Sequence, residues 1–199
     1  LGPDMAGEQI PPRNRMLPIL AVFVLMIEML GLASLISAEV SAGTLQALFI
    51  TPVTVTTLFA SKTITGVGMA FVQVLLLMAI TGGLSANPPL IIVALLIGSL
   101  LVTGIAFLMA TTGHDMMSVM AAGLPVLIIL AIPGFNVLVP GIASDWIKVI
   151  PSYYLVDTVH RAINFSAGWG DVANNLLMLT ALSLLFLGLG VVALRRKFS

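Results

Sequence analysis

The 199-residue chain is 59% hydrophobic and only 8% charged, against roughly 45–50% and about 25% in soluble domains, so it has too few charges to cover a water-facing surface. Eight basic residues balance eight acidic ones, which removes the electrostatic case for a nucleic-acid partner. There is no cysteine, so disulfides and thiol chemistry are excluded, and the two histidines, His114 and His160, stand far apart, which argues against a histidine metal site.

The composition predicts an all-α, polytopic helical membrane protein. The first candidate span is about Leu17–Ser37, interrupted only by Glu28. Between Lys62 and Asp115 stand 52 residues without Asp, Glu, Lys or Arg. A transmembrane helix needs about 20 apolar residues, so this run holds two helices, about Leu58–Thr81 and Leu90–Thr111. Gly82-Gly83 and Asn87-Pro88-Pro89 mark the turn between them. A fourth span runs from near Met117 to about Val139 with Pro125 and Pro133 inside it, and a fifth over about Val172–Leu194, closed by Arg195-Arg196-Lys197. Five spans put the termini on opposite sides. The first fifteen residues are polar and Pro-rich, unlike a signal peptide, and the apolar stretch after them is too long for one. The chain opens on Leu1 rather than Met, so a fragment of something longer is one expectation, with Met5 and Met16 as internal starts.

Counting Lys and Arg beside the spans leaves the orientation open. Lys62, Arg195, Arg196 and Lys197 lie on one side, and Arg13, Arg15, Lys148 and Arg161 on the other. The basic cluster after the last span favours a cytoplasmic C-terminus. Trp146 and Trp169 suit an interfacial aromatic belt.

Two connections are too patterned for plain loops. In Ala38–Ala60, Ser41 is suited to cap a short helix with Leu45, Leu48 and Phe49 on one face. Thr51, pushed from the helical region by Pro52, ends it. Such a helix lies on the bilayer surface or docks into a groove on a soluble partner; a surface helix without a partner fits equally well. The second connection, about Pro140–Gly170, is too polar to span and too apolar to float free, which predicts a re-entrant or interfacial helical pair. Asp157 and Arg161, four apart, are placed to pair on one helical face.

Glu28 sits mid-span, where an acid costs at least ~2.5 kcal/mol on insertion scales. Either it faces a bundle interior on a translocation pathway, or it is a protonated side chain hydrogen-bonded to a neighbouring helix. A phosphate loop is absent: Lys62-Thr63 is preceded by Ser61 where the second glycine belongs. Asp115 neighbours His114, but no GxSxG-type serine accompanies them.

The stretch Glu39–Val53, EVSAGTLQALFITPV, resembles the signature of the type-2 ABC transporter permeases (ABC-2 type membrane subunits). Glu39, Gly43, Thr44, Leu45, Leu48, Thr51, Pro52 and Val53 match. Ser41 stands where that family often has a second Glu, and Ser61 replaces the Gly of its usual Gly-Lys pair before Lys62. Pro151, Tyr153, Asp157 and Arg161 resemble its Pro–Tyr–Asp–Arg pattern in a re-entrant segment.

The resemblance implies a permease subunit of an ATP-driven exporter in the cell membrane, not itself an enzyme. Glu39, Gly43, Thr44, Leu45, Leu48, Thr51 and Pro52 would form a cytoplasmic coupling helix against a separate ABC ATPase. ATP and magnesium would sit on that partner, with no cofactor on this chain, and two permeases would form a dimer in the lipid. The family's usual subunit has six spans, so the resemblance implies that the first is missing here. Residues 1–15 would be an extracellular N-terminal segment, 16–199 the permease domain, and the C-terminus cytoplasmic. The rival readings are an intramembrane enzyme using Glu28 or His114 and a structural membrane assembly protein.

Overall fold

The computed structural model describes residues 10–42, 55–113, 115–138 and 145–198. Helix α1 covers Pro12–Ser41, α2 Val55–Ile80, α3 Pro88–Thr112 and α4 Met116–Leu138. A 3-10 turn at Asp145–Val149 leads into the short α5, Ser152–Asn164, and α6 covers Trp169–Phe198. All are helical, and among the described residues five are long and apolar enough to cross a membrane: Pro12–Glu39, Phe59–Ile80, Pro88–Thr112, Met116–Leu138 and Trp169–Lys197.

The ends follow local chemistry. Pro12 and Pro88 occupy first turns, where a missing N–H costs nothing. The first span therefore starts earlier than the apolar run alone suggests. α2 stops where Gly82 turns left-handed (φ 73°) and the Gly83 N–H returns to the Met78 carbonyl at 2.7 Å. Asp115 caps α4, its Oδ1 accepting from the Ser118 N–H at 2.8 Å while Ser118 Oγ accepts from the Asp115 N–H at 3.2 Å. Ser41, read as a cap for a following helix, is the last residue of α1, and its hydroxyl donates to the Ser37 carbonyl at 2.9 Å.

α3 is the heart of the bundle. It is apolar all round, which suits a helix enclosed by others, and Leu90, Ile91, Leu95 and Phe107 are fully buried. Its broadest partner is α6. A Cβ on Gly104 would lie 2.4 Å from the Leu187 backbone nitrogen, and one on Gly190 2.6 Å from the Gly104 carbonyl oxygen. The two backbones therefore touch, as small residues in membranes permit. The buried hydroxyls of α3 are satisfied within the helix: Ser99 Oγ donates to the Leu95 carbonyl and Thr103 Oγ1 to the Ser99 carbonyl, each at 2.8 Å. α2, α4 and α6 are largely uncovered. Their exposed Ile64, Val72, Leu124, Ile128, Leu177 and Leu184 form the hydrocarbon-facing surface.

Side-chain ties define the bundle's two ends. At the N-terminal face, Arg13 donates to the Thr81 carbonyl, with Nε at 3.1 Å, and Asn87 Nδ2 donates to the Ala167 carbonyl at 3.2 Å. At the C-terminal face, Lys197 Nζ donates to the Gly113 carbonyl at 2.7 Å and lies 3.2 Å from that of Ala110.

α5 explains the polar connection before the last span. Ser152 Oγ donates to the Leu130 carbonyl at 2.7 Å. Leu130 is eight residues before the end of α4, hence about 12 Å below it. Leu155 covers Gly98, ten residues into α3, or about 15 Å deep. From that depth α5 climbs back to the N-terminal face, where Asn164 meets Asn14. The segment is re-entrant, and its apolar face (Leu155, Val156, Val159, Ala162) is buried against α1, α3, α4 and α6.

Candidate coupling face, groove and re-entrant helix

At the C-terminal face the connection between α1 and α2 leaves and rejoins the bundle. Glu39 lies in the last turn of α1 and Lys62 two turns into α2. Lys62 Nζ donates to Glu39 Oε2 in an ion pair, with side chains 22% and 30% exposed. Gly43, Thr44, Leu45, Leu48, Thr51, Pro52 and Val53 lie outside the described residues, as does His114. The ion pair fixes where that connection is anchored.

Glu28 is sixteen residues into α1 and thirteen from its end, about 24 Å and 20 Å along the helix, so it is near mid-membrane. It is half-buried, and among the described residues none hydrogen-bonds to it or forms an ion pair with it. It shares an open stripe of α1 with Leu20, Ile27, Gly31 and Leu35. α4 packs beside that stripe. Phe23 and Phe135 meet edge to face at 6.3 Å, and Leu30 fills the space above Gly123. Towards the C-terminal face the two helices bound a groove of about 410 Å3, lined by Ile27, Leu30, Gly31, Leu35, Met116 and Met120 among others.

The re-entrant residues fall on α5. Pro151 precedes it with helical backbone angles, and Tyr153 stacks edge to face on Tyr154 at 5.4 Å. Asp157 and Arg161 do approach, but loosely at 4.0 Å. The tighter contacts run to α6: Asn175 Nδ2 donates to Asp157 Oδ2 at 2.6 Å, and Arg161 Nη1 donates to the Asp171 carbonyl at 3.1 Å. These residues thus bind the re-entrant helix to the last span. Burial raises the pKa of the Tyr153 phenol, and the Asp157 charge adds to the rise. Burial lowers the pKa of His160; Asp157 opposes the shift and Arg15 assists it. The Asn164 amide donates to His160 Nδ1 at 3.0 Å and reaches the Asn14 carbonyl at 3.5 Å, tying α5 to α1. No three His, Cys, Asp or Glu side chains among the described residues converge to hold a metal ion.

A protein family described as ABC-2 family transporter protein matches residues 13–192, nearly the whole chain. The chain belongs to the ABC-2 transporter family. Neither a curated protein nor a solved structure matches it. This ABC-2 protein is a multi-pass membrane permease, a transport subunit of an ABC transporter. Within it, sequence reasoning missed the partner of Glu39, the methionine wall of the groove, and the Asn164–His160 contact. The last had a signal, an i, i+4 spacing on α5; the others join distant segments.

Proposed function

We propose that the chain is the permease subunit of an ATP-driven exporter in the cell membrane. ATP and magnesium are held by a separate ATPase subunit that docks on the 38–60 connection. The observation that carries this reading is the family match over residues 13–192, together with the Glu39–Val53 signature. The chain itself has no phosphate loop, so the energy source lies outside these residues. The C-terminus and the 38–60 connection share the cytoplasmic side, and residues 1–15 lie outside. The basic Arg195, Arg196 and Lys197 stand at the same end of the bundle as Glu39 and Lys62, which supports that assignment.

Two permeases pair, with the translocation path along the open α1–α4 face. A mid-membrane carboxylate belongs beside protein or water rather than lipid, and that face is where Glu28 emerges. Cysteine labelling tests the topology without interference, since the chain has no cysteine of its own. A Thr44→Cys variant is expected to react with an impermeant maleimide only from the cytoplasmic side. Labelling only from the outside overturns the orientation.

A further inference from the structure

The groove between α1 and α4 has the size of a small-molecule site: it measures about 410 Å3, and such sites run to about 300–1,000 Å3. Its walls are almost wholly apolar. The one hydroxyl, that of Ser34, is already engaged, donating to the Leu30 carbonyl at 2.7 Å. Met116 and Met120 form much of the α4 wall. Unbranched, polarisable thioethers adapt to ligands of different shape. The floor is flat, because nothing stands within 4 Å of where a Gly31 Cβ would be. Such a surface selects apolar bodies without regard to detailed shape.

The charge beside it is not indifferent. Glu28 is one residue from Ile27, three from Gly31 and seven from Leu35, so it continues the same helical stripe at the mid-membrane end of the groove. Among the described residues it has no hydrogen-bond donor and no cation. An ionised carboxylate in a low-dielectric setting is costly unless an opposite charge sits beside it, so this position favours a bound cation over an anion. Taking the α1–α4 face as the translocation path, we infer that this groove binds lipophilic organic cations. The apolar body lies between Gly31, Leu35, Met116 and Met120, and the single positive charge sits against Glu28.

The test uses the purified permease in lipid nanodiscs, with empty nanodiscs subtracted. The probes are tetraphenylphosphonium and tetraphenylborate, a cation and an anion of the same shape. Saturable binding of the cation and none of the anion is expected. Glu28→Gln keeps the size of the side chain and removes its charge, so cation affinity should fall about tenfold or more. Glu28→Asp should retain the preference for the cation. Gly31→Leu has open space around its Cβ and extends into the groove, so it should block binding while leaving Glu28 in place. Equal binding of both probes, or cation binding unchanged in Glu28→Gln and Gly31→Leu, overturns the inference. So does the finding that these variants change only the pairing of two copies, for then a second chain covers the groove. No ATPase is needed for this measurement. Failed cation binding beside an intact permease–ATPase complex removes this inference alone, whereas cation binding without any such complex removes the exporter reading.

Discussion

Lys62 and Glu39 close an ion pair between α2 and α1 at the mouth of the connection that joins them. The pair is formed within one chain, so the Glu39 carboxylate serves to hold the two helix ends at a set spacing. The family signature by itself assigned Glu39 to the partner-facing set. With side chains only 22% and 30% exposed, the pair is better shielded than a surface ion pair. Loss of one partner should cost about 1–3 kcal/mol of thermal stability in nanodiscs. Glu39→Lys should weaken coupling of ATP hydrolysis to transport, and adding Lys62→Glu should restore much of both properties. A swap that restores neither, with ATPase association lost in Glu39→Lys alone, would show that Glu39 contacts the partner directly.

His160 gives the re-entrant helix a pH dependence. Its folded pKa is held below the ordinary value of 6.5 by burial. The unfolded chain therefore takes up a proton first as pH falls. The stability that neutral His160 contributes is complete above about pH 6.5 and declines as pH drops towards the folded pKa. Protonation also places a donor where Nδ1 now accepts from Asn164. Melting temperature between pH 7.5 and 5 should fall in the parent chain (about 6.5 being the point where the decline begins) and fall less in His160→Gln. Identical pH profiles would remove His160 from this role.

Two glycines of similar appearance should behave differently. Gly104→Ala drives a Cβ into the Leu187 and Phe186 backbone, whereas Gly188 has nothing within 4 Å of that position. Gly104→Ala should lower stability by about 1–3 kcal/mol through overpacking, and Gly188→Ala should leave it unchanged or slightly raised. Thermal unfolding of both variants in one detergent decides it.

The glycines also show that a local sequence pattern does not fix which helices meet. Gly188 and Gly190 lie two apart in α6, yet of the two only Gly190 meets another backbone, and its counterpart Gly104 has no local mark. The five spans were legible because lipid demands long uncharged runs, and Gly82-Gly83 and Pro88 punctuate them plainly. The depth of α5 was legible in outline from its mixed polarity. Its anchors were not, because Ser152 and Leu130 are 22 residues apart and Asp157 and Asn175 are 18 apart. The groove needs α1 and α4 side by side, a fact of packing that no local pattern records. The expected coupling residues Gly43 to Pro52 stay outside the described chain, so their role rests on the family and its signature.

In the proposed transporter an ATPase docks on the connection between α1 and α2. Leu45 and Leu48, three apart, are the apolar anchors expected of a short helix seated in a groove on that partner. Each contributes about 1.5–3 kcal/mol if fully buried there. The direct measurement is co-purification of the permease with its ATPase, comparing the parent chain with the Leu45→Ala, Leu48→Ala double variant. The variant should insert normally into the membrane and lose both the ATPase and transport. Recovery of the ATPase at the parent's level would contradict docking on this connection.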